Sequence, residues 1–158
     1  MVKIKYFILF GLVIFSVFSC QKKNIGNENA IISLKNAAPF EMTDLKVPTF
    51  PKRICDIRKY GAISDGMTKN TEAIKKAIED CYEKGGGIVL FPTGRWLTGH
   101  IHLKSRINIH ITEKAEIIFS TDLNDYLPVV FSRLQGIELY NFSSPIYALN
   151  SENIAITG

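Results

Sequence analysis

From Tyr60 to Gly94 the chain reads YGAISDGMTKNTEAIKKAIEDCYEKGGGIVLFPTG, and three kinds of chemistry follow one another in it. Gly61 to Gly66 is turn-forming and closes on the pair Asp65-Gly66. Ile74, Ala77, Ile78, Cys81 and Tyr82 then recur at the i, i+3, i+4, i+7, i+8 spacing of one helix face, with Lys75, Lys76, Glu79, Asp80 and Glu83 on the other side. Thr71 is the expected N-cap, and Glu72 puts negative charge in the first turn, where the helix dipole favours it. Gly85 is the expected stop, since glycine takes the left-handed conformation without a side-chain clash. The pattern predicts a helix over about 71–84. Gly85-Gly86-Gly87 follows this helix and does not open one, so it is not a phosphate-binding loop. Ile88-Val89-Leu90-Phe91 is a short apolar run stopped by Pro92.

Downstream the periodicity changes. Short apolar runs continue at Trp96-Leu97-Thr98, Ile101 to Lys104, Ile107 to Ile111, Ile117 to Phe119, Ile137 to Tyr140, Ile146 to Leu149 and Ile154 to Thr157, with no second helical pattern. The runs at Ile88 and Ile107 begin 19 residues apart, and those at Ile137 and Ile154 begin 17 apart. A repeat of about 20 residues suits one turn of a solenoid, each turn burying its inward side chains against the next. On that reading the Ile, Leu and Val of each run point inward, and His102, Lys104, Asn108 and His110 point out. A β-sandwich accommodates the same short strands, and periodicity alone leaves both architectures open. Upstream, Ile54-Cys55-Asp56-Ile57 alternates like a short strand, and Pro48 and Pro51 bracket an extended lead-in.

The ends of the chain have other compositions. Lys3 and Lys5 precede an apolar run, Tyr6 to Phe18, that is short for a bilayer span. It closes on Val17-Phe18-Ser19-Cys20, which resembles a bacterial lipobox, with Cys20 as the lipidated first residue of the mature chain. An ordinary signal peptide and an uncleaved anchor fit the same composition. The expectation is a leader over residues 1–19, a polar tether over 20–45 and one domain over 46–158, held by lipid in a bacterial envelope, periplasmic or at the outer surface. The 19 basic residues less Lys3 and Lys5 leave 17 against 15 acidic ones, and no like-charge run stands out. That balance carries no nucleic-acid footprint. Cys55 and Cys81 are expected as buried thiols, Cys81 lying on the apolar helix face; a disulfide is the alternative in an oxidising compartment.

The motif order decides between the architectures. Tyr60-Gly61-Ala62, Asp65-Gly66, Asn70 to Ile74, Ala77-Ile78, Cys81 and Gly85 through Gly94 resemble the entry module of the pectin-degrading β-helix superfamily, and Trp96 through Ser105 resembles its next turn. Asp125-Tyr126-Leu127-Pro128-Val129-Val130 and Asn153 through Gly158 are similar to the bacterial branch of glycoside hydrolase family 28, the polygalacturonase-like family. The match runs from about Val47 to the last residue. It implies an all-β fold, a right-handed parallel β-helix represented by its N-terminal coils, with one helix capping the apolar end and the C-terminal coils missing. Ser64 stands where the family's turn commonly has glycine, and Leu134 and Gln135 follow Arg133 where relatives often carry an aromatic residue and a glutamate.

The resemblance also implies a chemistry: inverting hydrolysis of α-linked galacturonan, one carboxylic acid protonating the glycosidic oxygen while carboxylates opposite activate water. The family carries these acids in Asn-Thr-Asp and Asp-Asp motifs, followed by His-Gly and Arg-Ile-Lys segments. None of the four occurs in these 158 residues. The catalytic acids are therefore expected beyond residue 158, no residue here is assigned a catalytic role, and the chain alone is expected to be inactive. Asp122 and Asp125 read as turn residues, and Glu113 and Glu116 as solvated. His100 and His102, two apart, would share a strand face, but no local Cys, Asp or Glu completes a metal site. Arg133, Tyr126 and Tyr147 are the candidate substrate-binding side chains, Arg133 by pairing with a carboxylate and the tyrosines by stacking on sugar; Tyr140 belongs to the same set, and core packing competes for all four. The expected partners are a pectin-type polysaccharide or oligogalacturonide and a membrane through the lipid, with no cofactor, no metal and a monomer when complete. Two rivals remain: a non-catalytic polysaccharide-binding surface lipoprotein, and a β-helix lyase or depolymerase.

Overall fold

The computed structural model describes residues 39–41 and 47–158. Every element below belongs to the unit Val47–Gly158. The leader, Cys20 and nearly all of the tether lie outside the described residues.

Strands β1 (Ile54–Asp56), β2 (Gly87–Phe91), β5 (Ile107–Ile111) and β10 (Ala155–Thr157) stack in that order into one sheet, every neighbour parallel. A second parallel stack pairs β3 (Gly94–Thr98) with β6 (Ala115–Phe119), and a third pairs β4 (Ile101–His102) with β9 (Ile146–Tyr147). Each coil of the chain thus lays one strand on each of three faces, and the next coil repeats them one rung further along. This is a right-handed parallel β-helix.

Side-chain alternation sorts each rung into an inward and an outward row. Cys55, Val89 and Ile109 stack inward and are 4%, 0% and 1% exposed, whereas Ile156, next in the row, is 48% exposed at the end of the stack. Trp96, Phe91, Ile101 and Ile107 fill the rest of the interior. Full burial of a side chain of this size contributes about 1.5–3 kcal/mol. Contrary to the expectation that all the Ile, Leu and Val of a run point inward, Ile88 and Leu90 occupy the outward row and are half-buried, because strict alternation sends every second residue out. Asn108 shares that outward row but is buried, between Ile88 and Ala155, and its Oδ1 accepts from the Thr157 hydroxyl at 3.1 Å.

The repeat is less regular than the spacing suggests. Val89 lies beside Ile109 and Ile109 beside Ile156, so the second step along the chain is more than twice as long as the first. The run at Ile137 is not a rung. It forms β8 (Ile137–Asn141), which pairs antiparallel with β7 (Val130–Leu134) as a hairpin inserted into the second coil. Gln135 and Gly136 both adopt positive φ, 50° and 88°, as a two-residue turn between right-twisted strands requires.

Helix α1 (Thr71–Glu83) packs Ile74, Ala77, Ile78 and Cys81 against the 3-10 turn Ile57–Tyr60, β1 and β2, closing the end of the solenoid. Its N-cap is Asn70, not Thr71, and Asn70 makes no side-chain cap bond. Its amide is used instead to clamp the turn before the helix: Oδ1 accepts from Ile63 N (2.7 Å), and Nδ2 donates to the carbonyls of Ile63 (3.0 Å), Thr68 (2.9 Å) and Leu97 (3.2 Å). Tyr82, expected on the apolar face, sits at its edge, with the Lys104 ammonium 5.2 Å and the Arg106 guanidinium 5.7 Å from its ring. Cys55 and Cys81 are free buried thiols, and burial, reinforced by Cys55, pushes Cys81 up to about 12.

Candidate functional site

A groove of about 340 Å³ runs between α1 and the β4–β9 face. Its helix wall presents Thr71, Glu72, Lys75 and Glu79, with Ile74 and Ile78 below them. The opposite wall is His100, Ile101, His102 and Lys104, together with Tyr147 from the rung above. Leu127, Pro128 and Val130, on the way into the hairpin, close one end. The result is an apolar floor under a polar rim, the usual constitution of a small-molecule site.

Three contacts fix this geometry. Gly99 turns the chain between β3 and β4, and a Cβ there would lie 2.5 Å from the Asp125 carbonyl oxygen, so only glycine lets the Asp125 loop approach. The Gly99 amide donates to Thr71 Oγ1 at 2.7 Å, tying the start of α1 to the same turn. The Asp125 carbonyl accepts from His100 N (3.3 Å) and lies 2.9 Å from His100 Nδ1. Lys69 completes the bracket, 2.7 Å from Asp125 and 3.3 Å from Asp122. Its ammonium holds the Asp125 carboxyl below the usual range; Asp122 is lowered chiefly by the Asn124 amide it caps and then by Lys69.

Across the β4–β9 rung the rings of His102 and Tyr147 lie 5.1 Å apart, tilted by 53°. Tyr147 Oη donates to the Phe131 carbonyl at 3.1 Å, so the residue that lines the groove also anchors the hairpin. Desolvation of the His102 imidazole, reinforced by the nearby Lys104 and His100, lowers its basicity. A neutral ring offers one donor and one acceptor.

Of the three expected substrate-binding side chains, Tyr147 alone reaches the groove. Tyr126 turns back to donate to the Ser120 carbonyl at 2.6 Å, and Arg133 is exposed on the hairpin opposite Glu138. His100 and His102 do share the groove, and among the described residues no cluster of three or more His, Cys, Asp or Glu forms a metal-ligand set. Glu116 pairs with Arg95 across the β3–β6 rung at 2.8 Å, while Glu113 is exposed. Glu72 and Glu79 both stand on α1, so they do not face one another across a bond as the two acids of a glycosidase do. The groove-lining Glu72, Lys75 and Glu79 were the missed residues: Lys75 and Glu79 read from sequence as the polar side of the helix, and Glu72 as a first-turn charge suited to its dipole. The signal for them was their i, i+3, i+7 spacing beside the apolar stripe of a helix that caps a solenoid.

No protein-family model matches the chain. Among solved structures, it is similar to a hyperthermoactive exopolygalacturonase from Thermotoga maritima (41% identity, TM-score 0.70), the match covering 85% of this chain and 28% of that one. It is also similar to a family 28 exopolygalacturonase from Yersinia enterocolitica (32% identity, TM-score 0.61), over 68% of this chain and 20% of the other. A third relative is the plasmin and fibronectin-binding protein A of Streptococcus pneumoniae, 33% identical over 84 residues, 52% of this chain and 12% of the relative. The chain spans less than a third of the length of each of these proteins. In sequence and in fold the chain is similar to the two exopolygalacturonases over most of its length, a likeness that supports a polygalacturonase-like family of right-handed parallel β-helices.

Proposed function

We propose that this chain forms the first coils of a glycosidase that hydrolyses α-linked galacturonan by inversion, with the catalytic acids supplied by coils beyond residue 158. The observation that carries the reading is the 41% identity to an exopolygalacturonase, sustained over 85% of the chain. In this arrangement the coils described here are scaffold and substrate-facing surface, and the chain by itself does not cleave. Cys20 carries the lipid, and the enzyme works at the bacterial envelope on pectin-type polymer or oligogalacturonide.

The test is the genomic DNA immediately after the Gly158 codon, followed by expression of whatever frame continues. A frame that runs into Asn-Thr-Asp and Asp-Asp motifs, and whose product releases reducing ends from polygalacturonate, supports the proposal. A stop codon at that point removes the enzyme from it.

The likeness to the pneumococcal plasmin and fibronectin-binding protein is compatible with a second reading, a non-catalytic surface lipoprotein that holds polysaccharide. A glycan-array signal from the chain, with no hydrolysis by any longer product, would select it.

A further inference from the structure

We infer that strand β8, the free edge of the hairpin, pairs antiparallel with β8 of a second copy of this chain, about a two-fold axis through Leu139. The inference rests on the hairpin and not on the glycosidase reading, and it departs from the monomer expected for the complete protein.

The hairpin leaves one edge bare. The two-residue turn Gln135-Gly136 makes Leu134 and Ile137 the closing hydrogen-bonded pair. Alternation along an antiparallel ladder then bonds Ser132 to Leu139 and Val130 to Asn141, and points the peptide groups of Phe131, Arg133, Glu138 and Tyr140 outward. On β7 that edge meets the body of the protein, where the Phe131 carbonyl accepts from the Tyr147 hydroxyl. On β8 it meets solvent. Ile137, Glu138, Tyr140 and Asn141 are all exposed, and among the described residues no third strand joins the pair. The strand carries one charge, Glu138, and neither the proline nor the lysine that commonly blunts a bare edge. A ribbon of two strands is marginal, whereas three or more strands with an apolar face are stable.

Side chains select the occupant. Paired residues share a face, so Val130, Leu134, Ile137 and Leu139 lie on one side of the ribbon, and Phe131, Tyr140, Arg133 and Glu138 on the other. Leu134, Ile137 and Tyr140 are each more than half exposed, a concentration of apolar surface that marks a contact site. A two-fold axis through Leu139 keeps all five residues of β8 in register with their counterparts. Leu139 then meets Leu139, Ile137 meets Asn141, and Glu138 meets Tyr140. Leu134, Ile137 and Leu139 of both copies join in one apolar strip across the junction. Each Glu138 carboxylate, an acceptor only, is set opposite a Tyr140, whose hydroxyl donates. Moving the axis one residue to Glu138 would set two carboxylates directly opposite, which is destabilising. An edge that complements itself in length, apolar pattern and charge fits a second copy, as an isologous interface requires.

The experiment uses the full chain in detergent micelles, carrying either Leu139→Cys or Arg133→Cys, under mild oxidation by copper–phenanthroline. Mass spectrometry of the linked peptides separates these links from any through Cys20. Opposed residues of a non-hydrogen-bonded antiparallel pair have Cα atoms about 4.5 Å apart, inside the span of about 4.4–6.8 Å that a disulfide bridges. The link between two copies of position 139 should form at least about tenfold faster than that at 133, because the axis holds it in place. Random collision gives the reverse order, since Leu139 is the less exposed of the two positions. Linking at 133 as fast as at 139 overturns the inference. Wild-type protein supplies a second readout that needs no variant. By NMR, the Glu138 and Tyr140 amides should exchange as slowly as the Leu139 amide inside the ladder. Exchange at the rate of an exposed loop overturns the pairing. Slow exchange without the link at 139 puts some other strand on the edge and overturns it equally.

Discussion

Replacing Asn70 is the sharpest test of how the cap is held. The residue is 2% exposed and uses its whole amide: one oxygen for the Ile63 N–H and two hydrogens shared among three carbonyls. Asn70→Ala takes these partners from the Ile63 N–H and from the Ile63 and Thr68 carbonyls, while Leu97 keeps its bond from the Asn70 backbone N–H at 2.8 Å. The four side-chain hydrogen bonds lost contribute about 0.5–1.5 kcal/mol each, so the loss should be about 3 kcal/mol, a large share of a typical total of about 5–15. With a urea slope of about 1.5 kcal/mol/M the unfolding midpoint should fall by about 2 M. Trp96 reports it directly: it is the one tryptophan, it is 0% exposed, and its Nε1 donates to Pro92 O at 2.8 Å. Asn70→Asp sharpens the test. It keeps an acceptor for Ile63 but turns an oxygen toward three carbonyls, which disfavours the ionised form and raises the folded-state pKa above the unfolded value of about 3.9. For an acid shifted upward, stability is fullest below the unfolded pKa and is lost as pH rises through the window between the two values. The gap to wild type should therefore be smaller at about pH 3 than at about pH 7. Both variants lying within about 0.5 kcal/mol of wild type, or a carboxylate variant indifferent to pH, would refute the clamp.

Three further outcomes follow from the same geometry. Gly99→Ala should cost about 1–3 kcal/mol by pushing the Asp125 loop away; a native-like NMR spectrum with an unchanged urea midpoint would contradict it. Asp65, lowered to about 2 by the Thr68 hydroxyl and the Thr68 and Met67 amides, contributes stability that is full above the ordinary value near 3.8 and is lost as pH falls toward 2. Asp65→Asn should accordingly flatten the acid limb of a plot of urea midpoint against pH. Cys55 and Cys81, both buried, with Cys81 pushed up to about 12, should resist Ellman's reagent in the native protein at about pH 8 and react after urea unfolding; native labelling of Cys81 would show that the cap opens.

Much of the cap was legible because its signals are local. The helix at 71–83 follows from its apolar spacing, and Gly85 stops it with φ of 93°. The N-cap moved by one residue for a tertiary reason. Asn70 and Thr71 are both good caps, but Asn70's side chain is spent on the preceding turn and on Leu97, and Thr71's hydroxyl on Gly99, so neither caps the helix. Which of two capable residues serves is decided by what lies across from them, and that is not written in the local sequence. The inward rows were half legible for a similar reason. A run such as Ile88 to Phe91 is apolar throughout, and only the register shows that Val89 and Phe91 face in while Ile88 and Leu90 face out.

The hairpin is the more instructive difference. The runs beginning at Ile137 and Ile154 are offset by nearly the step that separates Val89 from Ile109, close enough to pass for a rung. Yet Gln135-Gly136 sits between two strand-like runs as a two-residue, glycine-containing connection, which is a hairpin signal, and Ile137 is 69% exposed, as no inward rung residue would be. The groove depends on this insertion. It lies between Ile101 and Ile146, which nonetheless pair, and so sets Tyr147 against His102 and Leu127-Pro128 at the groove's end. Arg133 and Tyr126 were reasonable candidates by residue type, but type does not say which side of the inserted loop a side chain leaves from. A site drawn from a cap helix, a short strand, an insertion and the returning rung becomes readable only once the coil lengths are known. Lys75 and Lys104 line one groove for that reason and not because of any motif in the stretch of chain that separates them.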